Sequence, residues 1–242
     1  MIKNELISIE SNLVNNEKIN IEDEKFQKFM FLYNAALKEI KTKIEILQDE
    51  MKLFSDYDPI EYVSTRLKKP ESILQKLKNK KLSLTYENMF EEVNDIAGIR
   101  IVCNFKSDVY KIAQILENFQ DIRIIDKKDF LKKPKKSGYM SYHIITEVPV
   151  NLSSGQMNVK VEIQIRTLGM DFWASLEHKL KYKNPNIGKN ESKNLIKYAR
   201  VINNIDDNML MISSKLENTQ DKKIVIEAAE EESKNKKFDF KL

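Results

Sequence analysis

From Asn158 to Thr167 apolar and polar residues alternate, with Val159, Val161, Ile163 and Ile165 on one parity and Lys160, Glu162, Gln164 and Arg166 on the other. A period of two is the pattern of a half-buried strand, so one face anchors in a core while the other sets ionisable groups about 7 Å apart. The same period recurs upstream. After Gly98, which permits a tight entry, Ile99, Ile101, Cys103 and Phe105 point inward and Arg100 the other way. Tyr142, Ile144, Thr146 and Val148 face one side and Tyr139, Ser141 and His143 the other. Residues 121–126 read as a further strand and 62–68 as an extended lead-in that sets Arg66 and Lys68 on one side. Leu152-Ser-Ser-Gly155 marks a hairpin into the 158–167 strand.

Helical spacing takes over elsewhere. Phe26, Phe29, Met30, Tyr33, Leu37, Ile40, Ile44 and Leu47 form a stripe over residues 23–52, closed near Phe54 by Ser55-Asp56-Tyr57-Asp58-Pro59. Such a stripe packs on the main domain or on another subunit. Shorter helices are predicted over 70–78, opened by Pro70, over 86–94, and over 108–118, where Val109, Ile112, Ala113, Leu116 and Phe119 turn inward. Gly169 leads into a helix from Met170, and a long helix covers 192–217. Strands interleaved with helices describe an α/β (α+β) domain with a mixed, about five-stranded sheet flanked by long N- and C-terminal helices. It spans 23–218, between an N-terminal arm at 1–22 and a charged, flexible tail at 219–242.

Composition narrows the setting. Five glycines and five prolines in 242 residues favour regular elements over loops, and a single cysteine excludes a disulfide framework. There is no apolar run long enough for a membrane span and no signal-peptide core at the N-terminus, so a cytoplasmic protein is expected. A net charge of +4 is too mild to mark a nucleic-acid binder, but Lys127, Lys128, Lys132, Lys133, Lys135 and Lys136 crowd into ten positions before Ser137-Gly138-Tyr139.

Candidate chemistry follows from the polar faces. Arg66 and Lys68 precede a helix whose first turn holds Ser72 and whose next turn holds Lys76, so cations, a hydroxyl and a helix N-terminus converge as in a polyphosphate site. Asp95 stands at the mouth of a buried strand, where a carboxylate serves as a cap or a metal ligand. Tyr139 beside lysines offers a platform for stacking a base. Two carboxylates, Asp95 and Glu162, among the cations Arg66, Lys68, Lys76, Arg100 and Lys135 point to metal-assisted phosphoryl chemistry. Zinc is disfavoured by one cysteine and two histidines. A single-stranded RNA-binding module, a nucleotidyltransferase releasing pyrophosphate and a helical scaffold remain as alternatives.

Four motifs in order resemble the synthetase domain of the RelA/SpoT homologues: Arg66-x-Lys68-x-x-x-Ser72-x-x-x-Lys76, Asp95-Ile-Ala-Gly-Ile-Arg100, Lys135-x-Ser-Gly-Tyr139-x-Ser-Tyr-His143 and Glu162-Ile-Gln-Ile-Arg166-Thr. The length and the run Met170-Asp-Phe-Trp-Ala-Ser-Leu-Glu177-His-Lys-Leu-Lys-Tyr-Lys183 are similar to the stand-alone small alarmone synthetases of the RelQ type. The resemblance covers about residues 25–215. It implies a nucleotidyltransferase-like fold and transfer of the β,γ-pyrophosphate of ATP to the 3′-hydroxyl of GTP, GDP or GMP, with release of AMP. Arg66 and Arg100 are then expected to sandwich adenine, Lys68, Ser72 and Lys76 to hold ATP phosphates, and Asp95 and Glu162 to bind Mg²⁺, Glu162 also activating the 3′-hydroxyl. Tyr139 is expected to stack on guanine, with Lys135, His143 and Gln164 around the acceptor; nothing in the sequence fixes the role of Gln164 or Arg166.

Longer relatives usually show Lys-Pro-Asn-Gly-Tyr where this chain has Lys135-Lys136-Ser137-Gly138-Tyr139, a change that bears on acceptor preference. They also carry a histidine-aspartate hydrolase domain, for which His143 and His178 do not suffice. The resemblance further implies a homotetramer and a regulator, either alarmone or single-stranded RNA. Lys41 and Tyr62 are candidates for a regulatory cleft in which Glu45 stands where a basic residue is expected.

Overall fold

The computed structural model describes residues 17–55, 57–184 and 188–238, with side chains described as far as 216 except at 182 and 183. In chain order the elements are α1 (Glu24–Phe54), β1 (Ile60–Leu67), α2 (Pro70–Asn79), α3 (Tyr86–Glu92), β2 (Ala97–Cys103), α4 (Lys106–Glu117), β3 (Arg123–Asp129), β4 (Tyr142–Leu152), β5 (Gly155–Thr167), α5 (Leu168–Lys183) and α6 (Lys189–Phe238). Five strands form one sheet in the order β1-β2-β5-β4-β3, in which β2 and β5 run parallel and every other pair antiparallel. The extended lead-in is therefore an edge strand, and the expected mixed five-stranded sheet is the one observed.

Alternation puts Ile99, Ile101, Ile144, Val159, Val161, Ile163 and Ile165 on one face, all at most 1% exposed. The stripe of α1 covers that face, touching β1, β2, β4 and β5. Phe26, Phe29, Leu32, Tyr33, Ala36, Leu37, Ile40, Ile44 and Leu47 are buried there, so of its two expected uses the stripe serves its own domain. Asp23 opens α1 by accepting a hydrogen bond from the Lys25 amide, satisfying one orphan donor of the first turn. Val109, Ile112, Ala113 and Leu116 of α4 join the same core.

Local departures have local causes. The second strand ends at Cys103, because Phe105 is the N-cap of α4 and its amide donates to Asp108 at 3.0 Å. The expected strand at 121–126 runs Arg123–Asp129, with an irregularity in pairing between Ile124 and Asp126. The last helix extends beyond the 192–217 of its apolar period, to Phe238. Most of the arm at 1–22 and the side chains of the tail lie outside the described residues.

Candidate active site

The site is the polar face of the sheet. Pairing aligns Arg66, Gly98, Glu162 and Ile145 in one row across β1, β2, β5 and β4, and Ser64, Arg100, Gln164, His143 and Lys128 in the next. Residues almost a hundred positions apart become neighbours because cross-strand partners lie about 5 Å apart. Over them opens a cavity of about 760 Å³, lined among others by Arg66, Lys76, Asp95, Arg100, Lys135 and Tyr139. A second, of about 260 Å³, shares Arg66, Arg100 and Gln164 with it and extends over Ser64, Thr65, Gly98 and Ile99.

At its centre the side chains form a closed ring. Arg166 Nη2 donates to the Tyr139 hydroxyl and to Gln164 Oε1, both at 2.7 Å. The Tyr139 hydroxyl meets His143 Nε2 at 2.7 Å, His143 Nδ1 meets Glu162 Oε1 at 3.2 Å, and Gln164 Nε2 donates to Glu162 Oε2 at 2.7 Å. With His143 neutral and its proton on Nδ1, both arms donate in sequence from the guanidinium to the carboxylate. Burial on its own raises the Glu162 carboxyl, and Asp95 adds to this; the hydrogen bonds from His143 and Gln164, with the charge His143 can carry, outweigh both and hold it below the usual carboxylate range.

On the β1 side Arg66 leans across Gly98, bringing Nη2 to 4.0 Å from Glu162 Oε2. A Cβ on Gly98 would lie 3.2 Å from Arg66 Nε and 3.3 Å from its Cγ. The glycine thus clears a path for that side chain, which corrects its expected role as a tight entry. Asp95 accepts from Lys68 Nζ at 2.9 Å and Lys76 Nζ at 2.8 Å. Burial pushes its carboxyl up, but the two ammonium groups pull it below the usual range. Ser72 lies exposed in the first turn of α2 and lines neither cavity. Lys76 reaches the cavity from one turn later because its chain is longer.

Asp95 and Glu162 line one cavity, and the charge of Asp95 raises the cost of ionising Glu162. Among the described residues no group of three or more His, Cys, Asp or Glu is placed to hold a metal. A two-carboxylate set fits Mg²⁺, which completes its octahedron with waters and substrate phosphates, and does not fit zinc.

Just before β4, Gly138 has φ +92°, and a Cβ there would come 2.7 Å from Ala199 Cβ of α6. Only glycine allows that turn and that approach together. It sets Tyr139 over the ring of Phe130 edge-on, with Lys135 Nζ 4.7 Å and Arg166 Cζ 5.0 Å from the Tyr139 centroid. Burial lowers the Lys135 ammonium below its ordinary value. Ser141 does not join Tyr139 and His143: it is fully buried and its hydroxyl donates to Ile165 O at 3.2 Å. Strand parity fails for it because β4 begins only at Tyr142. Of the six crowded lysines, Lys127 and Lys128 lie on β3, not in a loop, and pair with Glu117 and Asp126, and Lys132 pairs with Asp129, so half of the run is matched by carboxylates where RNA binding would use a free basic track. Lys41 and Tyr62 likewise have local partners, Glu45 and Asp171.

Two participants escaped the sequence reading. Asp171, in the first turn of α5, lies 3.1 Å from Arg100 and 3.0 Å from Arg166 through the same oxygen. Glu177, two turns on, lines the cavity. The run 170–183 already stood out by resemblance, but only packing of α5 on the sheet brings Asp171 to the two guanidinium groups and Glu177 to the cavity.

Residues 65–187 match the family described as the region found in RelA/SpoT proteins. The chain is 42% identical to the GTP pyrophosphokinase YwaC of Bacillus subtilis over 74% of its own length and 85% of that protein's, and 38% identical to YjbM of the same organism over 67% and 76%. The crystal structure of small alarmone synthetase 1 from Bacillus subtilis bound to its product pppGpp superposes with a TM-score of 0.75 at 36% identity, covering 80% of this chain and 98% of that one. The same enzyme bound to AMPCPP gives 0.69 at 32%, covering 81% and 99%. With residues of all four motifs lining one cavity and relatives of this likeness over most of its length, the chain belongs to the RelA/SpoT family, in the branch of the small alarmone synthetases.

Proposed function

We propose that this protein is a (p)ppGpp synthetase that moves the β,γ-pyrophosphoryl group of ATP to the 3′-hydroxyl of GTP, GDP or GMP and releases AMP. The observation that carries the reading is a single cavity in which an arginine pair, Arg66 and Arg100, and an aromatic platform, Tyr139, flank the carboxylates Asp95 and Glu162. The smaller cavity, with Arg66 and Arg100 in its lining, suits a flat adenine between them. Lys68 and Lys76 each direct one N–H at Asp95 and keep two for phosphate oxygens. Tyr139 stacks the acceptor base, and Lys135, His143 and Gln164 border its ribose and phosphates.

Glu162 is ionised at neutral pH, so it orients the 3′-hydroxyl and accepts its proton as the oxygen–phosphorus bond forms and the bond to the AMP oxygen breaks. A carboxylate of lowered basicity contributes more by positioning than by base strength. Mg²⁺ held by Asp95 and Glu162 would neutralise charge on the transferred group.

We assign synthesis without hydrolysis: of the two histidines in the sequence, His143 is committed to Glu162 and Tyr139. We also assign a cytoplasmic homotetramer. Phe172, Leu176 and Leu180 on α5, with Tyr198, Ile205 and Ile212 on α6, are 43 to 62% exposed and offer apolar surface for a second copy.

The test is incubation with ATP, Mg²⁺ and each of GMP, GDP and GTP, followed by chromatography. AMP together with a 3′-pyrophosphorylated product supports the reading. Release of pyrophosphate replaces it with a nucleotidyltransferase, and product formed undiminished by Glu162→Gln removes the assigned role of Glu162.

A further inference from the structure

Behind the floor of the cavity, and absent from its lining, one carboxylate holds two arginines. Asp171 is 6% exposed. Its Oδ1 lies 3.1 Å from Arg100 Nη1 and accepts from Arg166 Nη1 at 3.0 Å, while its Oδ2 accepts from the Tyr62 hydroxyl at 2.7 Å and from Ser175 Oγ at 3.4 Å. Both oxygens are thus fully used. Among the described residues Asp171 is the one anion paired with Arg100, whose Nε is buried without a partner. Arg166 Nε is likewise buried and unpartnered, so this guanidinium too is anchored through its terminal nitrogens alone.

The two arginines serve different halves of the site. Arg100 borders the cavity assigned to the donor base, and Arg166 carries the ring through Tyr139 and Gln164 to Glu162 on the acceptor side. Burial lowers the Arg100 guanidinium, Arg166 and Arg66 add repulsion, and Asp171 opposes them. Two cations this close in a partly dry site need an anion between them to keep their places.

We infer that Asp171 is a positioning residue that holds one guanidinium from each side, Arg100 for the donor and Arg166 for the acceptor, and so sets the spacing of the two nucleotides. The inference rests on the two-nucleotide reading above. Tyr62 makes the clamp directional: burial, then the hydrogen bond to Asp171, pushes its hydroxyl up to about 12, so it remains a donor to Oδ2 and leaves Oδ1 to the arginines.

The experiment is steady-state kinetics with ATP and GDP on wild type, Asp171→Asn, Arg100→Gln and the double variant, with thermal unfolding alongside. Asp171→Asn keeps the shape and removes the charge. Loss of one charge-assisted anchor on each side should raise KM for ATP and KM for GDP about tenfold each. Arg100→Gln should raise KM for ATP alone, and adding Asp171→Asn to it should then raise KM for GDP without further effect on ATP. A merely structural role would lower the unfolding temperature and leave this pattern unformed. The inference is overturned if Asp171→Asn moves one KM only, if its effect on ATP persists undiminished in the Arg100→Gln background, or if neither KM moves. Should Asp171→Asn not fold, Tyr62→Phe removes one donor from the same carboxylate at an exposed site, and two- to threefold increases in both KM values are expected; an unchanged pair of values overturns the inference. Absence of product from wild type would sink the proposed function itself, whereas normal wild-type turnover with these outcomes bears on Asp171 alone.

Discussion

His143 Nδ1 lies 3.2 Å from Glu162 Oε1, and the same ring meets the Tyr139 hydroxyl through Nε2. The imidazole therefore joins Tyr139 to the carboxylate proposed to face the reacting hydroxyl. It also helps keep that carboxyl ionised against its burial. Replacing it with alanine should lower kcat by about 10- to 100-fold, the loss of one hydrogen bond to a charged group being worth roughly this much. Because Glu162 then regains basicity, its carboxyl moves up and the acidic limb of the kcat profile shifts to higher pH. A pH–rate profile of His143→Ala with an unmoved acidic limb would separate His143 from the titration of Glu162.

Gly98→Ala should act on ATP through Arg66. Its Cβ at 3.2 Å from Arg66 Nε makes that side chain give way by a few tenths of an ångström on its path across β2. Since the crowded atoms belong to a half-exposed arginine, the fold should lose less than about 1 kcal/mol while KM for ATP rises about three- to tenfold. An unchanged KM would show that the glycine answers to something other than Arg66.

Asp95 ties acid stability to the proposed Mg²⁺ site. Its carboxyl is lower in the folded chain than in the unfolded one, so its stabilisation is complete above the unfolded value near 4 and is lost as pH falls through the lower folded value. Asp95→Asn should therefore cost about 1.5–3 kcal/mol at pH 7, the scale of hydrogen bonds to a charged group, and the difference from wild type should shrink in acid. Urea unfolding at neutral and acid pH measures this. Chelation with EDTA should stop synthesis in wild type, and Asp95→Asn should raise the Mg²⁺ needed for half-maximal rate at least about tenfold.

The two roles proposed for Tyr139 are divided by two substitutions. Tyr139→Ala removes the stacking surface and should weaken the acceptor by about 1–3 kcal/mol. Tyr139→Phe keeps the ring but cuts the link between Arg166 and His143, so kcat should fall severalfold with KM for the acceptor nearly unchanged. If the alanine variant instead weakened ATP and spared the acceptor, the two nucleotide sides would have to be exchanged.

Much of this site was legible along the chain because its chemistry sits on regular elements. The period of two in β5 told which side of Glu162 faced away from the core, and the same reasoning placed Arg100. It failed at Ser141, where no strand had begun, and at Gly98, whose missing side chain matters to Arg66 on the neighbouring strand rather than to its own backbone.

The sequence alone determined which residues turn toward the core and which toward the site, since side-chain direction in a helix or strand follows from period and needs no neighbour. It also carried the four motifs in order. Strand order, the meeting of Asp95 with Lys68 and Lys76, the ring from Arg166 to Glu162 and the clamp of Asp171 on two arginines were decided by tertiary structure. These depend on which strands lie side by side and how α5 packs over them, and burial then turns charges remote in the chain into partners that must neutralise one another.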